Sequence, residues 1–242
     1  MLEIKKEHLE RFEEIKKQFF EKTEVPDESN WKSWTNDEIW LHIFEQVLVV
    51  GNSKPAERFN TNTALRNQVS YGVLARIKEE DELRKRINHV LRVVGARYAS
   101  SDISKCRKTN ALAHNLKVVK GFKEGPKGLL KRLSEFDGPR ADKRKIRYLM
   151  KIFKYIQSKS ARDFLMELGI VRDAIALDIR VQNIFAKIGV GIPKGFEANP
   201  QLYDEIEEDM LEKICKHLNV SGVQFDRMLY QNYKSIMNMN IR

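Results

Sequence analysis

Between Ile152 and Val181 the chain gathers residues that could do chemistry on one short stretch. Lys159 stands between Ser158 and Ser160, with Arg162 one turn on, and Asp178 follows 19 residues after Lys159. Upstream, Ile146, Leu149, Phe153 and Ile156 share one helical face; downstream, Ala161, Phe164, Leu165 and Leu168 share another. One or two residues separate the two helices, so the bend presents backbone N–H groups at a helix N-terminus, a natural seat for a phosphate. If Ser158 is the N-cap, Lys159 lies in the first turn of its helix, and Asp178 opens the next one. Each residue also has an ordinary reading. Lys159 can be a solvated lysine among the 44 basic residues. Asp178 can be a plain helix N-cap.

The elements that must position these residues are helical. Only 12 glycines and six prolines punctuate 242 residues, and apolar residues recur at helical spacing almost throughout. A stripe of Leu2, Leu9, Phe12, Ile15 and Phe19 ends before Pro26. Asn36 or Asp37 caps a helix over 38–50 that is apolar on nearly every side and therefore central. His42 on that helix reads as a core histidine, and Trp31, Trp34, Trp40 and Phe44 read as core rather than as a base-stacking group. Further helices are expected near 55–59, 63–77, 81–94, 104–119, 129–136, 142–155, 158–168, from 178, and over 202–218 and 221–237. No linker separates independent domains. The fold class is all-α, with two helical subdomains flanking a cleft: 1–59 with 181–242, formed by both ends of the chain, and 60–180, which carries the paired helices at about 142–168.

Composition narrows the function. The formal net charge is +10, which points to a polyanionic partner, nucleic acid first. Lys143, Arg144, Lys145 and Arg147 form either a solvated or a phosphate-gripping face. No apolar run approaches the length of a membrane span, and the start of the chain is amphipathic and charged rather than signal-like. An intracellular, cytoplasmic or nucleoid protein without membrane association is expected. The five histidines are scattered and there are two cysteines, so no metal site is expected, and neither a zinc site nor a four-cysteine cluster can be built. Gly-rich phosphate loops and dinucleotide fingerprints are absent from the sequence.

The run Lys159-Ser-Ala161-x-x-Phe164-Leu165-x-x-x-Gly169, followed by Ala174-Ile175-x-Leu177-Asp178, resembles the helix-hairpin-helix DNA glycosylases, and among them the 8-oxoguanine DNA glycosylase/AP lyases of archaea and some bacteria. Shorter stretches agree in order: 48–59, Val94-Gly95-Ala96-Arg97-Tyr98, and Phe225-Asp226-x-x-Leu229-Tyr230. The hairpin of that family reads Gly-h-Gly-x-Lys, with h apolar; here the same places hold Tyr155-Ile156-Gln157-Ser158-Lys159.

The resemblance implies a base-excision DNA repair enzyme acting on an oxidised purine, 8-oxoguanine, in duplex DNA. Lys159 would attack C1′ of the damaged nucleotide, expel the base and form a Schiff base, with β-elimination to follow. Asp178 would face the positive charge developing on the sugar. Asn52, Arg97, Lys105, Gln157, Ser158, Ser160 and Arg162 would contact DNA. No cofactor is required, and the enzyme would act as a monomer. A related group places its lysine further upstream, which makes Lys145 or Lys143 the alternative nucleophile. Two other readings stand beside this one: a non-enzymatic helical DNA-binding protein, and a monofunctional glycosylase in which Asp178 positions a water.

Overall fold

A computed structural model describes residues 2–240, and every regular element among them is helical. In chain order the helices are α1 (Lys6–Phe19), α2 (Asn36–Leu48), α3 (Lys54–Asn60), α4 (Thr63–Gln68), α5 (Tyr71–Leu74), α6 (Glu80–Val93), α7 (Arg107–Lys120), α8 (Pro126–Ser134), α9 (Ala141–Ile152), α10 (Ser158–Glu167), α11 (Ile179–Ile188), α12 (Pro200–Met210), α13 (Lys216–Leu218), α14 (Gly222–Gln231) and α15 (Tyr233–Asn238). A π-helical turn, Leu211–Cys215, joins α12 to α13. The all-α expectation is met. The segment expected as one helix over 63–77 is instead two, parted at Val69-Ser70, and the last helix is broken at Asn232.

The chain divides into two compact units: residues 1–28 with 158–242, and residues 29–157. The division inferred from sequence ran at 59/60 and 180/181, so the two differ in the placement of α2–α3 and of α10 with the segment after it. The reasons are physical. α2 buries Ile39, Trp40, Ile43, Phe44, Val47 and Leu48, and its neighbours in contact include α3, α5, α7 and α8, all in the 29–157 unit. Phe44 stacks on Phe59 at 5.0 Å, and the buried Trp40 indole donates to the Val69 carbonyl at 2.8 Å. Side chains of this size contribute roughly 1.5–3 kcal/mol each when buried, so α2 is the centre of that unit. α10 is fixed in the other unit by the ion pairs described below.

The start of α2 shows how local chemistry sets its ends. Thr35, not Asn36 or Asp37, is the N-cap: its hydroxyl accepts from Glu38 N–H at 3.2 Å, and Glu38 accepts back from Thr35 N–H at 2.6 Å, a capping box. Asn36 and Asp37 cap other helices, accepting from Lys127 N–H at 2.8 Å and Gly72 N–H at 2.7 Å. In the unit formed by both chain ends, Phe12 of α1 meets Phe185 of α11 at 5.1 Å and Phe225 of α14 at 5.5 Å. Ile15, Ile184, Ile206, Met210 and Met228 complete that core.

Candidate active site

Asp178 is the N-cap of α11. Its Oδ1 accepts from Arg180 N–H at 2.8 Å and from Val181 N–H at 3.1 Å. Its other oxygen has no hydrogen bond among the described residues, and the side chain is only half-buried. One carboxylate oxygen thus holds the helix while the second remains available. The segment before Asp178 is clamped by buried side chains. Ile175 N–H donates to Glu207 Oε1 at 2.8 Å, Ala176 N–H to Asp226 Oδ1 at 2.8 Å, and Leu177 N–H to the Tyr203 hydroxyl oxygen at 2.6 Å. Three successive backbone donors are satisfied by α12 and α14, which leaves Asp178 little freedom.

Lys159 is the second residue of α10, half-buried, with its ammonium paired to Asp163 one turn on. Ser158 is the first helical residue rather than the cap. Ser158 and Ser160 are buried, so the exposed members of this group are Gln157 and the Lys159 head.

Arg162 requires a correction. It was expected to contact DNA, but it is fully buried. Its Nε donates to Glu207 Oε1 at 2.7 Å, Nη2 to Glu207 Oε2 at 2.5 Å and to Asp204 Oδ1 at 2.8 Å, and Nη1 to the Ser158 carbonyl at 3.0 Å. The Tyr203 ring lies 4.2 Å from the guanidinium. Burial works against the charge, but Glu207, with Tyr203 and Asp204, outweighs it and holds the Arg162 pKa above that of an ordinary arginine. Four of its five N–H donors are used inside the fold, and the side chain has no exposed surface to offer a phosphate. Arg162 instead does structural work that sequence reading did not reveal: Glu207 Oε1 accepts from both Arg162 of α10 and Ile175 of the Asp178 segment. The lysine helix and the aspartate loop therefore hang on one carboxylate.

Asp226 lies beneath the same corner, fully buried. Burial, followed by the negative charge of Asp163, pushes its carboxyl up to about 7, against the opposing effects of Arg227 and the Ala176 N–H; Asp178 adds a smaller push in the same direction. Asp163 and Asp178 thus both disfavour the charged form of this buried carboxyl.

In the 29–157 unit, the link 153–157 after α9 carries Tyr155 at φ +64°, the left-handed region. This is the first of the two positions where the resembling family has glycine. A non-glycine residue pays roughly 1–2 kcal/mol there, yet the backbone takes the path without it. Asn115 of α7 fixes the link: its amide donates to the Lys154 carbonyl at 3.0 Å and accepts from Lys154 N–H at 2.8 Å. Asn115 is fully buried and had no sequence signal beyond being a polar residue inside an apolar helical face. On α9, the Lys145 ammonium lies 3.0 Å from Asp142 Oδ1 with its side chain only 11% exposed; Lys143 is half-buried.

Elsewhere in this unit, Asn52 and Arg97 are brought together. Gly51 has φ +85°, and a Cβ placed on it would stand 3.3 Å from Arg97 Cδ, so the Arg97 side chain lies against this turn. Arg97 reaches the exposed Tyr98 ring at 5.0 Å. Asn52 Oδ1 accepts from Lys54 N–H at 3.1 Å. Lys108, fully buried, donates to the carbonyls of Leu48 at 2.9 Å and Val50 at 2.8 Å and so closes the end of α2. Burial, with Arg97 adding to it, lowers its pKa to about 8. Lys105 is exposed and pairs with Asp102 at 3.2 Å. Among the described residues, no group of three or more His, Cys, Asp and Glu side chains is arranged to hold a metal ion, and no helix is long and apolar enough to cross a membrane.

No protein-family model and no curated relative matches the chain. Solved structures do. The 8-oxoguanine DNA glycosylase of Thermotoga maritima is similar with a TM-score of 0.57 and 23% identity, covering 92% of both chains. The 8-oxoguanine DNA glycosylase of Methanocaldococcus jannaschii is similar with a TM-score of 0.62 and 15% identity over 94% of both chains. The 8-oxoguanine glycosylase/lyase of the same organism, solved in complex with a 15mer DNA containing 8-oxoguanine, gives a TM-score of 0.62 and 17% identity over 94% of this chain and 97% of that one. The chain shares the all-helical fold of these 8-oxoguanine DNA glycosylases.

Proposed function

We propose that the protein is a DNA repair glycosylase with AP-lyase activity, excising an oxidised purine, 8-oxoguanine first, from duplex DNA, with Lys159 as nucleophile and Asp178 as its electrostatic partner. The observation that carries this reading is the shared Glu207: the helix bearing Lys159 and the segment bearing Asp178 are anchored to the same buried carboxylate. Solved relatives in fold that act on 8-oxoguanine support the substrate.

In this mechanism the target nucleotide leaves the base stack. The Lys159–Asp163 pair opens, and the amine, having lost one proton, attacks C1′. The N–C1′ bond forms as the bond from C1′ to the base breaks, and the base departs with a proton. Loss of a further amine proton and opening of the sugar ring give the imine. Removal of a C2′ proton then expels the 3′ phosphate, and water releases the lysine. Asp178, through the oxygen not used as a cap, stabilises positive charge on the sugar and assists proton removal. No cofactor takes part, and the enzyme works as a monomer. Arg97, Lys105, Asn52 and Gln157 are the exposed candidates for DNA contact.

Base release from an 8-oxoguanine duplex tests the reading. The parent protein should release the lesion base, and Asp178→Asn should slow release by more than ~100-fold, the usual size of one lost electrostatic contact in a transition state. Equal rates in the two would remove Asp178 from the mechanism. One observation favours a second register: Lys145 is the more sheltered lysine and has its own carboxylate, Asp142. Lys145→Gln and Lys143→Gln therefore belong beside Lys159→Gln in any trapping series.

A further inference from the structure

The link that follows α9 is held at close intervals by its own unit. His114 of α7 places Nε2 3.1 Å from the Ile152 carbonyl, one of the last carbonyls of α9, which have no partner inside the helix. Phe153 is buried. Asn115, the next residue of α7, takes both backbone groups of Lys154, at 3.0 and 2.8 Å. Ile156 is fully buried. Between the Lys154 latch and the Ile156 anchor stands Tyr155, at φ +64°. The Lys154 carbonyl and the Tyr155 N–H share one rigid peptide plane. Rotation of that plane about the Tyr155 N–Cα bond is φ itself, so a latch on the carbonyl sets the angle.

This backbone is disfavoured for any residue with a Cβ by ~5- to 30-fold in population, whereas glycine adopts it freely. Strain of this kind persists only where the surroundings over-determine it, and it gathers at ligand clamps. Charge says which ligand. Residues 29–157 carry 27 basic and 13 acidic side chains, a net +14, while the rest of the chain carries 17 and 21, a net −4. The link and its latch belong to the cationic unit, and the exposed side chains of the link are Lys154 and Gln157. A cation beside an amide suits a phosphate backbone.

We propose that Asn115 is a positioning residue for DNA binding. Its amide holds the 153–157 link in the left-handed turn that presents Lys154 and Gln157 to a DNA backbone, and so replaces the glycine that such a turn otherwise needs. Asn115 is fully buried and acts only through Lys154. The proposal rests on the DNA partner of the glycosylase reading. A link that occupies its binding form for only a fraction of the time lowers the affinity by that fraction.

Fluorescence anisotropy tests it on the full chain, with a short labelled duplex carrying a tetrahydrofuran abasic-site analogue, which cannot form a Schiff base. Asn115→Ala should weaken binding by ~5-fold or more. Tyr155→Gly alone keeps the latch and should bind within ~3-fold of the parent. Added to Asn115→Ala, Tyr155→Gly should restore binding to within ~3-fold of the parent, because glycine populates both signs of φ about equally. Arg97→Gln removes a charge on another turn; it should also weaken binding, and Tyr155→Gly should not restore it. Melting curves establish that the variants are folded, and Asn115→Leu, which keeps the buried volume, replaces Asn115→Ala if that variant is not. A parent that binds no duplex at low salt overturns the DNA reading and this proposal together. A parent that binds, with an Asn115 variant that binds as tightly, overturns this proposal alone. So does a double variant no tighter than Asn115→Ala, or equal restoration of Arg97→Gln.

Discussion

Two charged clusters in this protein are built in opposite ways. At the α10–α11 corner, Asp204, Glu207 and Asp226 are buried, and the buried Arg162 fork makes four hydrogen bonds to partners inside the fold. At an open cavity between α6 and α7, Lys78, Arg84, Lys117, Lys120 and Lys154 stand with a single carboxylate, Glu80, and two buried polar atoms, Arg84 Nε and Asn110 Oδ1, have no hydrogen-bond partner. The first is a positioning device, because its hydrogen bonds are internal and fix backbone. In the second, Arg84 pairs with Glu80 and Lys120 donates to the Ala75 carbonyl at 2.9 Å, single contacts near the surface rather than a buried network. A buried charge is thus read by its partners rather than by its sign. Arg162 is a cation on a helix that begins with serines and a lysine, yet it has no exposed surface to offer DNA.

The largest effect that separates the two clusters is on stability. Arg162→Met should cost about 3–5 kcal/mol, because it takes the one guanidinium away from two buried carboxylates, Glu207 and Asp204; urea unfolding measures it. Tyr203→Phe should cost less, about 1–3 kcal/mol, since Leu177 N–H loses its acceptor. It should also slow base release, because Leu177 precedes Asp178. At the cavity the sign should approach zero or reverse: Asn110→Ala removes an unsatisfied buried acceptor and should change stability by less than about 1 kcal/mol. A large loss there would mean that Asn110 is structural.

Protonation gives a further contrast. Asp226 has its pKa raised by burial and by Asp163 to about 7, whereas an unfolded aspartate titrates near 3.9. Its contribution to stability is therefore fully present below about pH 4 and is lost as the pH rises through about 7. Asp226→Asn keeps a carbonyl to accept from Ala176 N–H and removes the titration. The drop in melting temperature between pH 5 and pH 8 should be smaller in this variant than in the parent. An unchanged drop would mean that Asp226 titrates normally in the fold.

The parts of this site that were legible in the sequence are those written locally. Asp178 at a helix start, Gly169 at a helix end and the apolar face of α10 all follow from spacing and caps, and Gly169 adopts φ +65° as a C-capping glycine does. The partners of Arg162 lie 42 and 45 residues away, which no local pattern records. A signal did exist: Arg162 lies one turn before Leu165, at the edge of the face read as buried, and α12 carries Asp204 and Glu207 one turn apart. The assignment of α2 to the 29–157 unit was also hidden, because an all-round apolar helix does not say which neighbours will cover it. Tyr155 shows the converse limit. Its left-handed backbone is set by the turn and by Asn115 rather than by residue preference, so the missing glycine misled about strain and not about path. Tyr155→Gly should change stability by no more than about 1 kcal/mol, relief of φ strain offsetting lost packing and added chain entropy.

The central claim is that Lys159 is the nucleophile that this buried scaffold positions. Borohydride reduction during reaction with an 8-oxoguanine duplex tests it most directly, since only an imine between protein and sugar is reduced to a stable adduct. The parent should give a covalent protein–DNA species and a nicked strand, and Lys145→Gln and Lys143→Gln should do the same. Lys159→Gln, folded by its melting curve and still binding DNA, should give neither. A trapped adduct from Lys159→Gln, lost instead in Lys145→Gln or Lys143→Gln, would contradict the claim and move the nucleophile to α9.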